Sequence, residues 1–179
     1  RAPVVKDGKL VGIVCDVDLL NASPSPVTTL SIWEMNYLLS KITVSEVMSK
    51  NVLTVTEDTP IEQAARIMAD NKIGGLPVMR DGYVVGIITE TDLFKIFLEL
   101  LGARETGVRV TALIEDKPGQ LAKITQAIAS KQGNFVAFGV ITGATPADKM
   151  LTFKVKGLTQ DEVKEVVGPL VKEFVDIRA

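Results

Sequence analysis

The 179-residue chain sets 20 Lys and Arg against 22 Asp and Glu, a formal net charge of −2, so no bulk positive field draws it to nucleic acid. It has no histidine and one cysteine, Cys15, which removes Ser–His and Cys–His triads, the commonest zinc ligand and any internal disulfide. At 46% hydrophobic and 23% charged residues it reads as a globular chain of one large or two small domains. No apolar run approaches the roughly 18 residues that cross a bilayer and no ordered signal peptide is present, so a cytoplasmic protein is expected. The start, Arg1-Ala2-Pro3-Val4-Val5, reads as the middle of a domain.

An internal repeat organises the first hundred residues. Pro3 to Leu20 (PVVKDGKLVGIVCDVDLL) and Pro77 to Phe94 (PVMRDGYVVGIITETDLF) align without a gap at a shift of 74, with nine of eighteen positions identical. In each, Asp-Gly (Asp7-Gly8, Asp81-Gly82) sits between short β-branched runs, a hairpin signature. The second run gives way to a helix with Asp18 or Asp92 near its N-terminus, where capping is the plain explanation of either aspartate.

Between the repeats, Ser23-Pro24-Ser25-Pro26 is turn-rich. Leu30 to Lys41 then reads as a helix with Leu30, Trp33, Tyr37 and Leu38 on one face, suited to core or interface packing. Val52 to Val55 reads as a strand. Thr59-Pro60-Ile61-Glu62 reads as a capping box with Thr at the N-cap, opening a helix that carries Ile61, Ala64, Ala65 and Met68 at helical spacing and ends at Asn71 to Gly75. Leu76 to Met79 and Tyr83 to Ile88 form the hairpin. The helix over Leu93 to Leu101 is apolar on most of its surface and is expected to be buried between repeats or between subunits.

After the polar segment 102–107 the pattern changes. Val108, Val110, Ala112 and Ile114 alternate as in a strand. Asp116-Lys117-Pro118-Gly119-Gln120-Leu121 leads into a helix marked by Leu121, Ile124 and Ile128, which ends before Gly133-Asn134. Strands over Phe135 to Ile141 and Met150 to Val155 follow, joined by a small turn. A capping box at Thr159 to Glu162 opens a helix with Val163, Val166, Val167 and Leu170 on one face, and Val175 to Arg178 is a last strand. The order βαββαβ is a ferredoxin-like arrangement.

The repeat, its element order and the motifs Gly74-Gly75-Leu76-Pro77-Val78 and Gly86-Ile87-Ile88-Thr89-Glu90-Thr91-Asp92 resemble the CBS domain pair. Residues 1–43 would be a first repeat, without its opening strand and helix, plus a connecting helix; residues 44–102 would be a second repeat. With the Ser-Pro-Ser-Pro…Trp-Glu-Met-Asn-Tyr insert, the whole resembles the acetoin utilisation protein B family. The loop Asp116 to Leu121 in its βαββαβ setting resembles an ACT domain over 107–179. The implied fold is mixed α/β and α+β, a CBS pair of β-α-β-β-α repeats followed by a ferredoxin-like ACT domain.

These resemblances imply an adenosine nucleotide (AMP, ADP or ATP) between the repeats. An aspartate with two acceptor oxygens suits the two hydroxyl donors of a ribose diol. The second site would use Asp92 for ribose, Thr89 and Thr91 near phosphate, and Thr54, Ile73, Gly75, Leu76 and Pro77 around the base. The first would use Asp18, Ala2, Pro3 and Val4. Cys15, a weak donor, stands there in place of Thr89, so the second site is favoured. At the ACT-like domain, the resemblance implies an amino acid between the loop of one subunit and the second-strand start of a partner subunit, with Asp116, Gln120, Leu121, Gly133 and Asn134 as candidates, set against a plain turn-and-cap role. No catalytic residue, catalytic cofactor or metal ligand is expected: the carboxylate pairs Glu115/Asp116 and Asp161/Glu162 sit at helix starts, where capping explains them. The expected protein is therefore a homodimeric, non-catalytic sensor acting on a partner in acetoin or central metabolism. The competing expectation is a dimerisation module with vestigial pockets.

Overall fold

The computed structural model describes residues 1–23, 29–143 and 145–179. Pro24-Ser25-Pro26, in the turn-rich stretch, and the centre of the turn after Thr142 lie outside the described residues. The chain divides into two units, Arg1–Leu93 and Phe94–Ala179. The polar segment 102–107 falls in the second unit. Leu93 packs on the core of the first unit. The carbonyls of Gly102 and Glu105, in contrast, accept hydrogen bonds from Lys154 Nζ at 2.7 and 2.9 Å, which fastens that segment to the second unit.

The first unit contains β1 (Ala2–Lys6), β2 (Lys9–Val14), α1 (Asp16–Asn21), α2 (Ile32–Leu39), α3 (Val44–Val47), β3 (Val55–Thr56), α4 (Ile61–Asn71), β4 (Gly75–Arg80), β5 (Tyr83–Thr89) and the start of α5 (Glu90–Leu100). Both hairpins turn on Asp-Gly with positive φ at both residues, 51° and 77° at Asp7-Gly8 and 52° and 84° at Asp81-Gly82, the turn whose twist matches paired strands. The repeat extends to the irregularities: the register shifts between Val4 and Val5 in β1 and between Val78 and Met79 in β4, 74 residues on.

The strand expected over Val52 to Val55 is only Val55–Thr56, paired in parallel with Val78 and Met79. Of that run only Val55 reaches the core, while Leu53 stays exposed. The N-cap of α4 is Pro60 and not Thr59. The Thr59 hydroxyl is spent on the preceding turn, accepting from Thr56 N–H at 3.0 Å. The core is small: Val55, Ala64, Met68 and Leu76 are buried, with Ile67, Ile73, Val78, Ile88 and Leu93 against them.

Among the described residues, nothing covers much of the apolar faces of α2 and α5. Trp33 and Tyr37 are 84% and 62% exposed, and Phe94, Phe97 and Leu100 are 67%, 55% and 66% exposed. The expected burial of the helix after Leu93 is therefore not met by the single chain.

The second unit continues with β6 (Val108–Glu115), α6 (Gln120–Ser130), β7 (Asn134–Thr142), β8 (Asp148–Lys156), α7 (Gln160–Val167) and β9 (Glu173–Arg178). Its antiparallel sheet has the order β7-β8-β6-β9, the ferredoxin-like arrangement of βαββαβ. Along β6 every second residue (Val108, Val110, Ala112, Ile114) is buried, as period-2 alternation requires of a sheet covered on one face. Ile124 and Ile128 of α6, with Val163 and Val167 of α7, are fully buried with Leu151, Phe153 and Val155 of β8. Thr159 caps α7 as its spacing predicts: Glu162 N–H donates to Thr159 Oγ1 at 3.3 Å, and Thr159 N–H to Glu162 Oε2 at 2.7 Å.

Candidate functional site

The repeats set their two motif aspartates in the same geometry. Thr89 N–H and Thr89 Oγ1–H both donate to Asp92 Oδ2, at 3.0 and 2.7 Å. Cys15 N–H and Cys15 Sγ–H both donate to Asp18 Oδ2, each at 2.8 Å. Each aspartate is thus the third residue of its helix, closing back on the residue that precedes the helix, rather than the N-cap itself. The Cys15 thiol, and after it the Cys15 amide, holds the Asp18 carboxyl below the usual carboxylate range.

Asp18 stands in a recess of about 370 Å³ within the first unit, lined by residues of both repeats. Ile13, Cys15 and Asp18 come from the first repeat. Ser49, Asn51, Val52 and Leu53 come from the segment after α3, and Asn71 to Gly75 from the end of α4 and the start of β4. A reciprocal bridge, Ile13 N–H to Ser49 carbonyl and Ser49 N–H to Ile13 carbonyl, both 2.9 Å, locks the segment after α3 to β2. Lys72 turns the chain from α4 toward β4 with φ 54° and ψ 41°. The Arg1 side chain lies over Gly74, where a Cβ would collide with its guanidinium, and Arg1 Nη2 is 3.9 Å from Glu90 Oε2.

The recess therefore offers a carboxylate, the polar side chains of Ser49, Asn51 and Asn71, two cations (Arg1 and Lys72), and an apolar wall of Ile13, Val52, Leu53 and Ile73. A carboxylate beside polar and apolar surface suits a diol-bearing, partly aromatic ligand, and the cations suit an anionic substituent. Among the described residues no three His, Cys, Asp or Glu side chains cluster to hold a metal ion.

Of the residues singled out in sequence, the recess brings together Asp18, Ile73 and Gly75. The other candidates are not among its lining residues. The side chains of Leu76 and Pro77, expected around the base, are fully buried, which leaves their backbone groups for such a contact. Thr89 is bound to Asp92. Ala2, Pro3 and Val4 lie in β1, paired with Val14, Ile13 and Gly12 of β2. Ile73 and Gly75, expected beside Asp92, line the recess at Asp18; Gly75 also pairs with Thr89, the residue bonded to Asp92, so it borders both motifs. Ser49, Asn51, Asn71 and Lys72 carried no repeat signal; only the helix-ending Asn71 to Gly75 marked their surroundings.

Asp116, Gln120 and Leu121 lie at the entry to α6, and Gly133 and Asn134 at the entry to β7. Asp116 Oδ2 pairs with Lys149 Nζ at 3.3 Å. Gln120 Nε2 donates to the Leu170 carbonyl, Leu121 is exposed, and Asn134 opens β7 opposite Lys156. Gly133 is explained by packing: a Cβ there would stand 2.7 Å from Leu158 Cδ1 and 2.8 Å from Ile128 Cγ2.

The first unit is a tandem pair of hairpin-helix repeats around a shared recess. The CBS domain family model matches residues 1–25 and 44–99. A CBS domain-containing protein of Dictyostelium discoideum is 35% identical over 103 residues, 56% of this chain and 71% of that one. The chain belongs to the CBS domain family. Of three other curated relatives that it matches, it spans 35%, 20% and 16% of the length. Among solved structures, the CBS domain pair of protein MJ0100, in complex with 5′-methylthioadenosine and S-adenosyl-L-methionine, is 34% identical over 57% of this chain and 70% of that one, with a TM-score of 0.43. A putative acetoin utilization protein of Vibrio cholerae is 34% identical over 57% and 69%, with a TM-score of 0.44. No helix of the described residues is long and apolar enough to cross a membrane.

Proposed function

We propose that the chain is a non-catalytic sensor that holds an adenosine nucleotide (AMP, ADP or ATP) in the recess at Asp18. The observation that carries this is the convergence of both repeats on one cavity with the motif aspartate in its wall. Asp18 accepts from the ribose diol, the wall of Ile13, Val52, Leu53 and Ile73 receives the base, and Arg1 and Lys72 face the phosphate. This places the principal site at Asp18, where the cysteine-bearing motif argues least for it, and leaves Asp92 and Thr89 as a secondary site. Binding transmits to a partner protein through differential affinity between two states. The resemblance to acetoin utilisation proteins supports a partner in acetoin or central metabolism, in the cytoplasm. The exposed apolar residues of α2 and α5 support a homodimer. The βαββαβ unit and its Asp116 to Leu121 loop support an ACT-like domain with an amino-acid effector.

One observation favours the second reading, a dimerisation module with vestigial pockets: both motif aspartates already accept hydrogen bonds from the residue that precedes their helix. Isothermal titration of AMP, ADP and ATP into the whole chain separates the two. Micromolar binding of any of them supports the sensor; absence of heat with all three supports the dimerisation module.

A further inference from the structure

Helix α2 lies between the two stretches that match the CBS family model and contributes no buried residue to the first unit. One side of it carries Leu30, Trp33, Glu34, Tyr37 and Leu38, which line an open groove of about 390 Å³. Their spacing of three and four residues puts all five on a single stripe. Lys41 continues that stripe. Its N–H donates to the Leu38 carbonyl at 3.1 Å, and its ammonium lies 5.2 Å from the centre of the Tyr37 ring. The stripe is therefore apolar in the middle and carries a negative charge at Glu34 and a positive charge at Lys41. Glu34 keeps its charge, because the bonds it accepts from Ser31 N–H and Ser31 Oγ–H, at 2.8 and 2.7 Å, come from neutral donors.

Such a stripe is complementary to itself. Glu34 and Lys41 stand seven residues apart, about 10 Å along the axis, with Tyr37 and Leu38 at their midpoint. A second α2 turned end for end about that midpoint brings its Lys41 to Glu34, its Glu34 to Lys41 and its Leu38 beside Tyr37. A parallel pair would instead set Glu34 against Glu34 and Lys41 against Lys41. The antiparallel pair has one two-fold axis, so it closes at two copies. Trp33 and Tyr37, 84% and 62% exposed, supply the large rings that anchor such contacts. At about 150–250 Å² for each aromatic side chain, both copies together cover roughly 1,000 Å² with their leucines, the low end for a specific interface.

We propose that α2 pairs with α2 of a second copy, antiparallel about Tyr37 and Leu38, with Glu34 of each copy against Lys41 of the other. This rests on the homodimer reading and gives it a helix outside the matched repeats, a direction and a register.

The test is sedimentation equilibrium of the whole chain and its variants over roughly 1–100 µM, with circular dichroism to confirm the fold. The wild-type chain is expected to be dimeric within that range. Tyr37 is exposed, so Tyr37→Ser spares the core; it is expected to weaken the dimer at least about tenfold. Ile32→Ser, at a site 70% exposed on the opposite side of the helix, leaves the dimer within about twofold. Lys41→Glu weakens it about fivefold by setting like charges together. Glu34→Gln retains the cap with Ser31 and isolates the charge: it weakens the wild-type dimer about twofold and tightens the Lys41→Glu dimer by a similar factor. A dimer that Tyr37→Ser and Lys41→Glu leave unchanged overturns this pairing and keeps the homodimer reading. Further weakening of the Lys41→Glu dimer by Glu34→Gln overturns the antiparallel register. A chain that stays monomeric throughout overturns both the pairing and the homodimer, and leaves the face of α2 to a different partner.

Discussion

Leu76 separates two accounts of the first unit. A Leu76 side chain that lined the base pocket would face a ligand; in the structure it is 0% exposed and enclosed by Val55, Ala64 and Met68, which leaves only its backbone groups for a base. Leu76→Ala removes three carbons, about 2.4 kcal/mol of transfer free energy at roughly 0.8 kcal/mol per methylene. The cavity left in so small a core adds to this, giving about 3–4 kcal/mol. For a unit the size of Arg1–Leu93, that lowers the melting temperature by about 12–32 °C. Urea unfolding followed by far-ultraviolet circular dichroism would show a lower midpoint and an unchanged slope for this unit. AMP affinity of the folded variant would stay within about threefold. A loss below about 1 kcal/mol, with AMP binding weakened about tenfold, would refute the core assignment and return Leu76 to the pocket.

Three further outcomes follow from particular contacts. Gly133→Ala drives a methyl onto Ile128 and Leu158 and is expected to destabilise the second unit by about 1–3 kcal/mol in thermal unfolding, whatever ligand is present; a neutral substitution would contradict the packing account. The Lys172 ammonium, and then the Thr145 hydroxyl, hold the Asp148 carboxyl below its usual range. The stability it contributes is therefore present above the ordinary carboxylate range and lost as pH falls through its lowered pKa. Asp148→Asn should flatten the acid limb of the stability profile of the second unit and leave its slope near neutrality unchanged; an identical acid limb in both proteins would count against the pair. Cys15 lines the recess and its thiol is bonded to Asp18, so saturating AMP should slow alkylation of Cys15 at least about fivefold, read by mass spectrometry. An unchanged rate would place the ligand elsewhere.

Much of this architecture was legible in the chain because local chemistry and tertiary packing agree. The 74-residue repeat, the two Asp-Gly turns and the alternation along β6 each follow from a strong local signal, and each is met in the structure. The capping box at Thr159 held because nothing competes for its hydroxyl. The similar box at Thr59 failed because the preceding turn takes that oxygen. The strand at Val52 shrank because its apolar residues divide between a recess and a core, which hydrophobicity alone does not distinguish. The site was only half legible. The motif marks Asp18 and Asp92 equally, yet the recess at Asp18 is completed by Ser49, Asn51, Asn71 and Lys72, which reach it from distant parts of the chain. The thiol of Cys15 was a poor guide, since it holds Asp18 through the same pair of bonds that Thr89 makes to Asp92.

The most direct test of the central claim is a titration of AMP into the wild-type chain, Asp18→Ala and Asp92→Ala under identical conditions. The account predicts that Asp18→Ala weakens the main binding event at least about tenfold and that Asp92→Ala leaves it within about threefold. Loss of that event in Asp92→Ala with full binding in Asp18→Ala would contradict it.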